Sequence, residues 1–478
     1  MITIIGLGVE QGDLSKRGET LILEAVKSGR PVLVRTANTR SYQTVKDMGI
    51  PHECLDYIYE RSRNFATLAK NLAKAVADKG ENAVYLVDGA ATEDNSVKAL
   101  VKRTRGKVEI VDGVSKTTAL VRAAGFAGCS YTAVSAYELA EHANEDNLAL
   151  PLVVYDLDDR GLAGDIKLLL GSVFGEESEV SYLCDGKAKK IQLFELDRQK
   201  KYDYTTAVAM ERQALLEKQR FSLADLREIV VRLRKPDGCP WDRVQTNESI
   251  KMSAVEEAYE LVDAVDTGDD EKILEEAGDI LLQTVFHAVM KEECGAFDLR
   301  DVVTGVCQKL ISRHTHVFGE DKAKDGESAL SVWEKNKMTE KHQVTFADSV
   351  NDVPKCFPAA MRAQKIGKRA SKAGLDFASA KEAASKVEEE LLEFFKAYET
   401  GDKEETEKEL GDLLFAVVNI GRKAGCDCEK ALKESAERFA KRFTVAESLA
   451  LADGKVVTEL TPEEWDEYYV KAKGQVCV

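Results

Sequence analysis

Hydrophobic and polar positions follow one pattern in the first two hundred residues of this 478-residue chain and another pattern after them. In the first part, short apolar runs rich in β-branched residues alternate with amphipathic segments such as 65–79 and 93–103. Alternation of strands and helices at this spacing predicts an α/β domain with a largely parallel sheet. The predicted strands are the apolar runs 2–8, 31–36, 83–89, 107–113 and 150–157.

The remainder of the chain has the apolar spacing of helices. From about Ala207 onward the sequence is rich in Glu, Lys, Ala and Leu and has almost no β-rich runs, which predicts long amphipathic helices. We therefore assign an α/β domain to residues 1–205 and a linker to residues 206–220. The rest is predicted to be all-α.

One pattern occurs twice in the predicted helical part. The first copy begins VEEAYELVDAVDTGD at Val255, and the second begins VEEELLEFFKAYETGD at Val387. Each copy contains EExxE, a Thr-Gly-Asp segment and then ExxD, which is typical of an internal structural repeat. We assign the first repeat to residues 221–345 and the second to residues 350–478.

The spacing of the acids predicts that they converge. Residues three or four apart share one face of a helix, and each Thr-Gly-Asp segment predicts a turn between two antiparallel helices. Within each copy, two acids lie eleven residues from the turn glycine and two lie eight residues from it, so four carboxylates meet at two levels. These quartets are Glu257, Glu260, Glu276 and Asp279 in the first copy, and Glu390, Glu393, Glu409 and Asp412 in the second.

Carboxylates that converge beside apolar residues predict a bound cation. Such anions repel one another and are costly to desolvate unless a cation joins them. Ligands that are all oxygen favour a hard ion, Mg²⁺ or Mn²⁺. For either motif alone, a solvated helix face rich in glutamate is the simpler interpretation, but the duplication in one register favours the metal site.

Composition and charge restrict the classes of partner. The net charge of −17 argues against broad nucleic-acid binding, whereas a nucleotide carried on a metal ion escapes this objection. Charges interrupt every apolar run, so we expect no membrane span. The N-terminal MITIIGLG has the pattern of a strand before a glycine turn rather than that of a signal peptide, and the ten cysteines are scattered. We expect a cytoplasmic protein with reduced thiols.

The chain from about Phe221 to Lys473 resembles the MazG nucleotide pyrophosphohydrolases, which carry EExxE followed by ExxD on paired helices. Other stretches resemble the family's signatures in the family's order. The resemblance implies that Mg²⁺ activates a water molecule, which splits a nucleoside triphosphate into the monophosphate and pyrophosphate. The matching stretches are GCPWDRVQT (238–246), KLISRHTHVFG (309–319), WEKNK (333–337) and the region 352–377.

The resemblance also implies roles for single residues, and the second repeat matches more completely. The implied catalytic acids are Glu389, Glu390, Glu393, Glu409 and Asp412. The implied nucleotide contacts are Lys386, Lys408, Arg438, Arg442 and Trp465. The two arginines could instead pair with neighbouring glutamates, and Trp465 could instead fill a core.

The first repeat keeps its acids as predicted metal ligands but departs from the family around them. Asn247 stands where a histidine is often found, and KMSA (251–254) replaces the usual approach to EExxE. The sequence therefore does not decide which repeat hydrolyses the nucleotide, or which base and sugar are preferred. Trp333 occupies the place of Trp465 after the first copy. A basic stripe could reach phosphates or form a solvated face; it comprises Arg362, Lys365, Lys368, Arg369 and Lys372.

Residues 1–205 resemble the S-adenosylmethionine-dependent tetrapyrrole methylases. The resemblance rests on IIGLGVEQGDLS (4–15) and VEIVDGVSKTTALVRAAG (108–125). Where that family has Gly-Asp-Pro, this chain has Asp88-Gly89-Ala90, and Asp112 replaces a proline. We therefore expect the methylase fold, S-adenosylmethionine as a doubtful cofactor, and weakened or absent methyl transfer.

Together these patterns predict a multidomain protein, in which a tetrapyrrole-methylase-like α/β domain precedes an all-α, duplicated MazG part. Two alternatives remain: a methyltransferase regulated by its helical part, and a non-catalytic scaffold that senses nucleotides. Helical hairpins of this size expose apolar faces, so we expect a homodimer formed through the helical half.

Overall fold

A computed structural model describes residues 1–62, 65–144, 148–341 and 345–475. The chain forms two compact units, Met1–Leu299 and Arg300–Val478. Among the described residues, no helix combines the length and the apolar character that crossing a membrane requires.

The first sheet of the α/β domain is entirely parallel, as the alternation of strands and helices predicted. Its five strands lie in the order β3-β2-β4-β1-β5. The central strands are buried on both faces, because Ile4 packs toward α4 and α5 and Ile5 packs toward α1 and α2. The strands are β1 (Ile2–Gly6), β2 (Val32–Val34), β3 (Glu53–Cys54), β4 (Val84–Val87) and β5 (Val108–Val111), and the helices are α1 (Lys16–Lys27), α2 (Tyr42–Asp47), α3 (Tyr57–Glu60), α4 (Phe65–Asp78) and α5 (Asn95–Arg103).

The second sheet is mostly antiparallel, so the predicted parallel arrangement is correct for the first sheet only. Its order is β6-β7-β10-β8-β9, and only β6 and β7 run parallel. Its strands are β6 (Thr132–Ser135), β7 (Leu152–Tyr155), β8 (Glu179–Cys184), β9 (Lys187–Gln192) and β10 (Ala207–Met210), and the helices beside them in sequence are α6 (Lys116–Ala123), α7 (Ala136–Glu141) and α8 (Arg160–Phe174).

Strand β10 corrects the predicted domain boundary. It falls within residues 206–220, which we predicted to be a linker, but all four of its residues are buried. It pairs with both β7 and β8 at the centre of the second sheet. The α/β domain therefore continues at least to Met210, because its second sheet would be split without this strand.

The rest of the described chain is helical, as predicted. Two helix pairs carry the acidic motifs: α10 with α11, and α17 with α18. The helices are α9 (Leu223–Arg234), α10 (Ser253–Thr267), α11 (Asp270–Glu293), α12 (Leu299–Arg313), α13 (Thr315–Phe318), α14 (Gly326–Glu340), α15 (Phe346–Asn351), α16 (Ala359–Ser371), α17 (Ala380–Thr400), α18 (Lys403–Lys423), α19 (Cys428–Ala452) and α20 (Pro462–Gln475).

Candidate metal and nucleotide site

The Thr-Gly-Asp segments form the turns that bring the acids together. Gly268 and Gly401 end α10 and α17 in the left-handed conformation, with φ of 68° and 73°. A glycine tolerates this conformation without strain. Asp269 and Asp402 then cap the following helices, because each carboxylate accepts hydrogen bonds from two backbone N–H groups of the next turn. Each hairpin is thus specified by three consecutive residues.

In the first repeat, three of the four predicted ligands meet. Glu257, Glu260 and Glu276 each offer a carboxylate oxygen, and these oxygens lie within 4.8 Å of one another. Asp279 is not one of the three. Burial, followed by the negative charges of neighbours that include Glu260 and Asp279, raises the pKa of Glu276. No lysine or arginine of the described chain forms an ion pair with these three acids, so their repulsion is uncompensated.

The second repeat has the same geometry with a different charge balance. Oxygens of Glu390, Glu393 and Glu409 again lie within 4.8 Å of one another, and Asp412 is not among them. Glu390 and Glu409 are buried, with 7% and 8% of their surface exposed, whereas Glu393 is exposed. Burial of two carboxylates at one point requires compensation, which two lysines provide.

Lys386 and Lys408 lie against the acids of the second repeat. The Nζ of Lys386 is 2.7 Å from Glu390 Oε1 and 2.9 Å from Glu389 Oε1. The Nζ of Lys408 is 3.0 Å from Glu409 Oε1 and 2.9 Å from Glu405 Oε1. These carboxylates hold the pKa of both lysines above the ordinary value. Both residues were implied as nucleotide contacts, and here they neutralise carboxylates.

Both carboxylate triads have the donor chemistry of a hard divalent cation. Three oxygens from two helices can occupy part of an octahedral shell, and the remaining positions are then available to water and phosphate. The exposed side of each triad, at Glu260 or Glu393, faces solvent. The residues present therefore fit Mg²⁺ or Mn²⁺ at both places.

The other implied nucleotide contacts occupy different surroundings. Arg438 lies 3.7 Å from Glu434 one turn earlier on α19. The Nε of Arg442 is buried and has no hydrogen-bond partner within the described chain. Trp465 stacks on Phe443 with 5.3 Å between ring centroids and packs against the core formed by α19 and α20. Of the two interpretations of Trp465, the structure shows the core contact.

Sequence reasoning missed two residues that follow the acids of the first repeat on α11. His287 Nδ1 lies 2.6 Å from Oδ1 of Asn247, the residue noted for its departure from the family. Burial and then the charge of Lys291 lower the pKa of His287. Gln283 Nε2 donates to Glu257 Oε1 at 3.4 Å. Both follow Asp279 at helical spacing, at four and eight residues, which is the signal that could have identified them.

The glycine turns of the α/β domain contact each other. A Cβ on Gly6 would lie 2.5 Å from backbone atoms of both Gly89 and Gly113. Gly8 and Gly89 also exchange backbone hydrogen bonds of 3.2 and 2.8 Å. Absence of a side chain at these positions is required by loop packing, so the glycines alone do not indicate a cofactor.

Asp88, which stands where the methylase family has another residue, is the centre of a buried ionic network. Its carboxylate lies 2.8 Å from Arg35 Nη1 and 2.6 Å from Lys116 Nζ, and Arg35 Nε lies 3.0 Å from Asp94 Oδ2. Burial alone would raise the pKa of Asp88, but the charges of Lys116 and Arg35 outweigh it and hold the pKa well below the ordinary value. Both carboxylate oxygens of Asp88 are thus engaged by cations.

Both hairpins lie in segments that match a known protein family. The profile of the MazG nucleotide pyrophosphohydrolase domain matches residues 245–318 and 379–444, one stretch in each repeat. A nucleoside triphosphate pyrophosphohydrolase/pyrophosphatase MazG of Thermotoga maritima is 41% identical over 52% of this chain and 95% of its own length. The chain belongs to the MazG family. A nucleoside triphosphate pyrophosphohydrolase of Escherichia coli K12 is 38% identical over 52% of this MazG chain and 95% of its own length.

A third relative extends over the α/β domain. The uncharacterized protein YabN of Bacillus subtilis is 30% identical over 99% of this MazG protein and 98% of YabN. Among solved structures, uroporphyrin-III C-methyltransferase of Thermus thermophilus, complexed with S-adenosyl homocysteine, covers 44% of this chain and 97% of its own, with 17% identity and a TM-score of 0.30. Precorrin-6Y methylase of Archaeoglobus fulgidus covers 45% of this chain and 99% of its own, with 15% identity and a TM-score of 0.29.

Proposed function

We propose that this MazG protein is a Mg²⁺-dependent or Mn²⁺-dependent nucleoside triphosphate pyrophosphohydrolase that releases the monophosphate and pyrophosphate. The observation that carries the proposal is the convergence of Glu390, Glu393 and Glu409 within 4.8 Å, in a chain whose named relatives are nucleoside triphosphate pyrophosphohydrolases. A triphosphate carries its own negative charge, so a cation between it and these acids lets an acidic protein bind it.

The proposal assigns a role to five residues of the second repeat. Glu390, Glu393 and Glu409 would hold the cation, which when bound neutralises phosphate charge and acidifies a water molecule. Lys386 would leave its carboxylate partners and contact a phosphate oxygen once the cation replaces it. Glu389, exposed and released from Lys386, would then accept a proton from the attacking water.

Pyrophosphate release from a panel of NTPs and dNTPs, assayed with and without Mg²⁺, tests the proposal. We expect Glu390→Gln to lower the rate by at least about a hundredfold, since it removes charge beside the metal, and Asp412→Asn, at the position one helical turn after Glu409, to lower it as well. Glu399→Gln, an exposed acid near the C-terminus of α17, is the control and should retain activity. Nucleotide binding without pyrophosphate release would favour the scaffold interpretation and contradict ours.

The same assay separates the two repeats. Glu257→Gln with Asp279→Asn neutralises the first repeat and leaves the second intact. We expect this variant to keep most of the activity, because the lysines and arginines implied as nucleotide contacts lie in the second repeat. Loss of activity in this variant alone would transfer the catalytic assignment to the first repeat.

For the α/β domain we propose that S-adenosylmethionine is not a cofactor and that no methyl group is transferred. The ionic network around Asp88 and the contacts among the glycine turns support this. Equilibrium dialysis of the full chain with labelled S-adenosylmethionine tests it, and no binding is expected even at about 1 mM, the upper end of usual KM values. Saturable binding would restore the methyltransferase alternative.

We also propose a cytoplasmic location. The nine cysteines of the described chain are free thiols, which is the state that a reducing compartment maintains. Fractionation of cells that express the tagged protein tests the location, and recovery with membranes or in the culture medium would contradict it.

A further inference from the structure

A cavity in the Arg300–Val478 unit brings together two sequence stretches that the proposed function does not use. One is WEKNK (333–337) on α14, and the other is the basic stripe on α16. The cavity has a volume of about 220 Å³. Its walls include the aromatic rings of Trp333 and Phe346 and the cations Lys337, Lys365, Lys368 and Arg369. None of the acids of the second repeat lines it.

Positive charge in this cavity is only partly compensated. Lys372 Nζ lies 2.6 Å from Glu334, and Arg369 contacts Asp352 at 3.4 Å and the carbonyl of Ser349. Within the described ranges, Lys337, Lys365 and Lys368 form no ion pair with a carboxylate. In a chain of net charge −17, three unpaired ammonium groups around one cavity are an unusual local excess.

Lys337 is partly buried and lies among other cations. Burial and then the charges of Arg369, Lys341 and Arg313 lower the pKa of Lys337. Its Nζ lies 5.0 Å from the ring centroid of Trp333, and Arg313 lies 5.3 Å from the same ring. Arg313 is paired with Glu340 and does not line the cavity, whereas the indole attracts the ammonium group of Lys337 without neutralising it.

We propose that this cavity is a binding site for a diphosphate group, separate from the carboxylate triads. Three lysines and an arginine supply donors for phosphate oxygens, and two adjacent phosphates supply the negative charge that the cavity lacks. Its volume is below the roughly 300–1,000 Å³ of pockets that enclose drug-sized ligands, so it suits an inorganic diphosphate or the diphosphate end of a larger molecule.

Calorimetric titration of the full chain with inorganic pyrophosphate in excess EDTA tests the site. Without a divalent cation the acidic triads repel the anion, so only a basic site can bind it. We expect wild type to bind, and Lys365→Ala with Lys368→Ala to weaken binding by at least about a hundredfold, because a hydrogen bond to a charged group contributes about tenfold or more. Both side chains are exposed, so the fold should survive.

A matched control variant loses two positive charges at positions outside the cavity. Lys335 on α14 and Lys381 on α17 are exposed and do not line the cavity. The variant Lys335→Ala with Lys381→Ala should bind pyrophosphate within about twofold of wild type, since neither side chain lines the cavity and solvent screens the field of exposed charges. Equal weakening by both double variants would show nonspecific attraction and overturn the proposal.

Failure of this site can be distinguished from failure of the proposed catalytic site. Glu390→Gln should leave pyrophosphate binding in EDTA unchanged even though it removes hydrolysis. If wild type does not bind pyrophosphate at about 1 mM, or if Glu390→Gln abolishes binding, the basic site is refuted. A parallel titration with ADP identifies the ligand. ADP binding that is lost in the Lys365→Ala with Lys368→Ala variant indicates a nucleoside diphosphate, whereas binding of pyrophosphate but not of ADP indicates the free anion.

Discussion

Two lysines distinguish the acidic sites of the two repeats. Lys386 and Lys408 lie against Glu390 and Glu409 in the second repeat, and the corresponding positions of the first repeat are Ser253 and Glu275. The first triad therefore depends on an external cation for charge balance, whereas the second has internal cations that a metal ion must displace. This difference predicts different behaviour of the two sites in the absence of nucleotide.

Removal of one internal cation should make the second site bind metal more tightly. We expect Lys386→Ala to increase Mg²⁺ affinity by about two- to fivefold without nucleotide, the range of a solvent-exposed ion pair, and to raise KM for the triphosphate. Calorimetry on a chain whose first site is silenced by Glu257→Gln measures this. Lys403→Ala, which removes a distant lysine 3.6 Å from the exposed Glu407, is the control. Unchanged Mg²⁺ affinity in Lys386→Ala would refute the competition.

The raised pKa of Glu276 predicts a pH dependence of metal stabilisation. A carboxyl whose pKa is raised on folding stabilises the fold below its unfolded pKa, and this contribution is lost as pH rises through its folded pKa. Mg²⁺ offsets the repulsion among the three carboxylates only at pH values at which Glu276 is ionised. We therefore expect MgCl₂ to raise Tm more at pH 8 than at pH 5, relative to KCl at equal ionic strength, and Glu276→Gln to reduce this difference. An equal effect of MgCl₂ at both pH values would contradict this expectation.

At the scale of elements, the second hairpin contains two glycines with opposite requirements. Gly401 needs the left-handed conformation, with φ of 73°, whereas Gly411 lies inside α18 with open space around its Cα. Gly401→Ala should lower the free energy of unfolding by about 1–2 kcal/mol through backbone strain. Gly411→Ala should raise it by about 0.5–1 kcal/mol through helix propensity. Urea unfolding measures both, and equal signs would refute the assigned roles.

The hairpin turns could be predicted from sequence because their signals are local. Thr-Gly-Asp specifies the left-handed helix end and the following N-cap within three residues. By the same logic, the β8 to β9 hairpin could have been found from Asp185-Gly186, since both residues have positive φ, of 52° and 72°. An Asp-Gly pair between two strands is a strong hairpin signal. Strand β9 (KAKKIQ) is mostly polar and exposed, so a search for apolar runs did not reveal the hairpin.

At the scale of the whole molecule, apolar side chains on α17 and α18 remain exposed in the single chain. Leu392, Tyr398 and Leu414 are 64%, 66% and 58% exposed. Burial of such a face in a second copy would stabilise by about 25 cal/mol per Å² of apolar surface. This exposure supports our proposal of a homodimer through the helical half.

Light scattering tests the homodimer. We expect a mass of about twice the 52.7 kDa of one chain. Leu392→Asp with Leu414→Asp should shift the mass toward the monomer, because two charges would be buried without partners. Leu375→Asp, at an exposed leucine outside both helices, should leave the mass unchanged. A monomer mass that does not change with concentration would contradict the proposal.

The sequence by itself determined the features whose causes lie within one or two turns of chain. It determined the two hairpins, the helix faces on which their acids lie, and the buried parallel strands, because helix periodicity, glycine turns and N-caps act between near neighbours. The structure then showed that three of the four acids predicted to converge in each hairpin meet. Only the tertiary structure decided which distant groups meet. Strand β10 completes a sheet that begins at Thr132, Asp88 contacts Arg35 and Lys116, and residues of the basic stripe line one cavity with Trp333. These pairings depend on three-dimensional packing, for which linear spacing carries no signal.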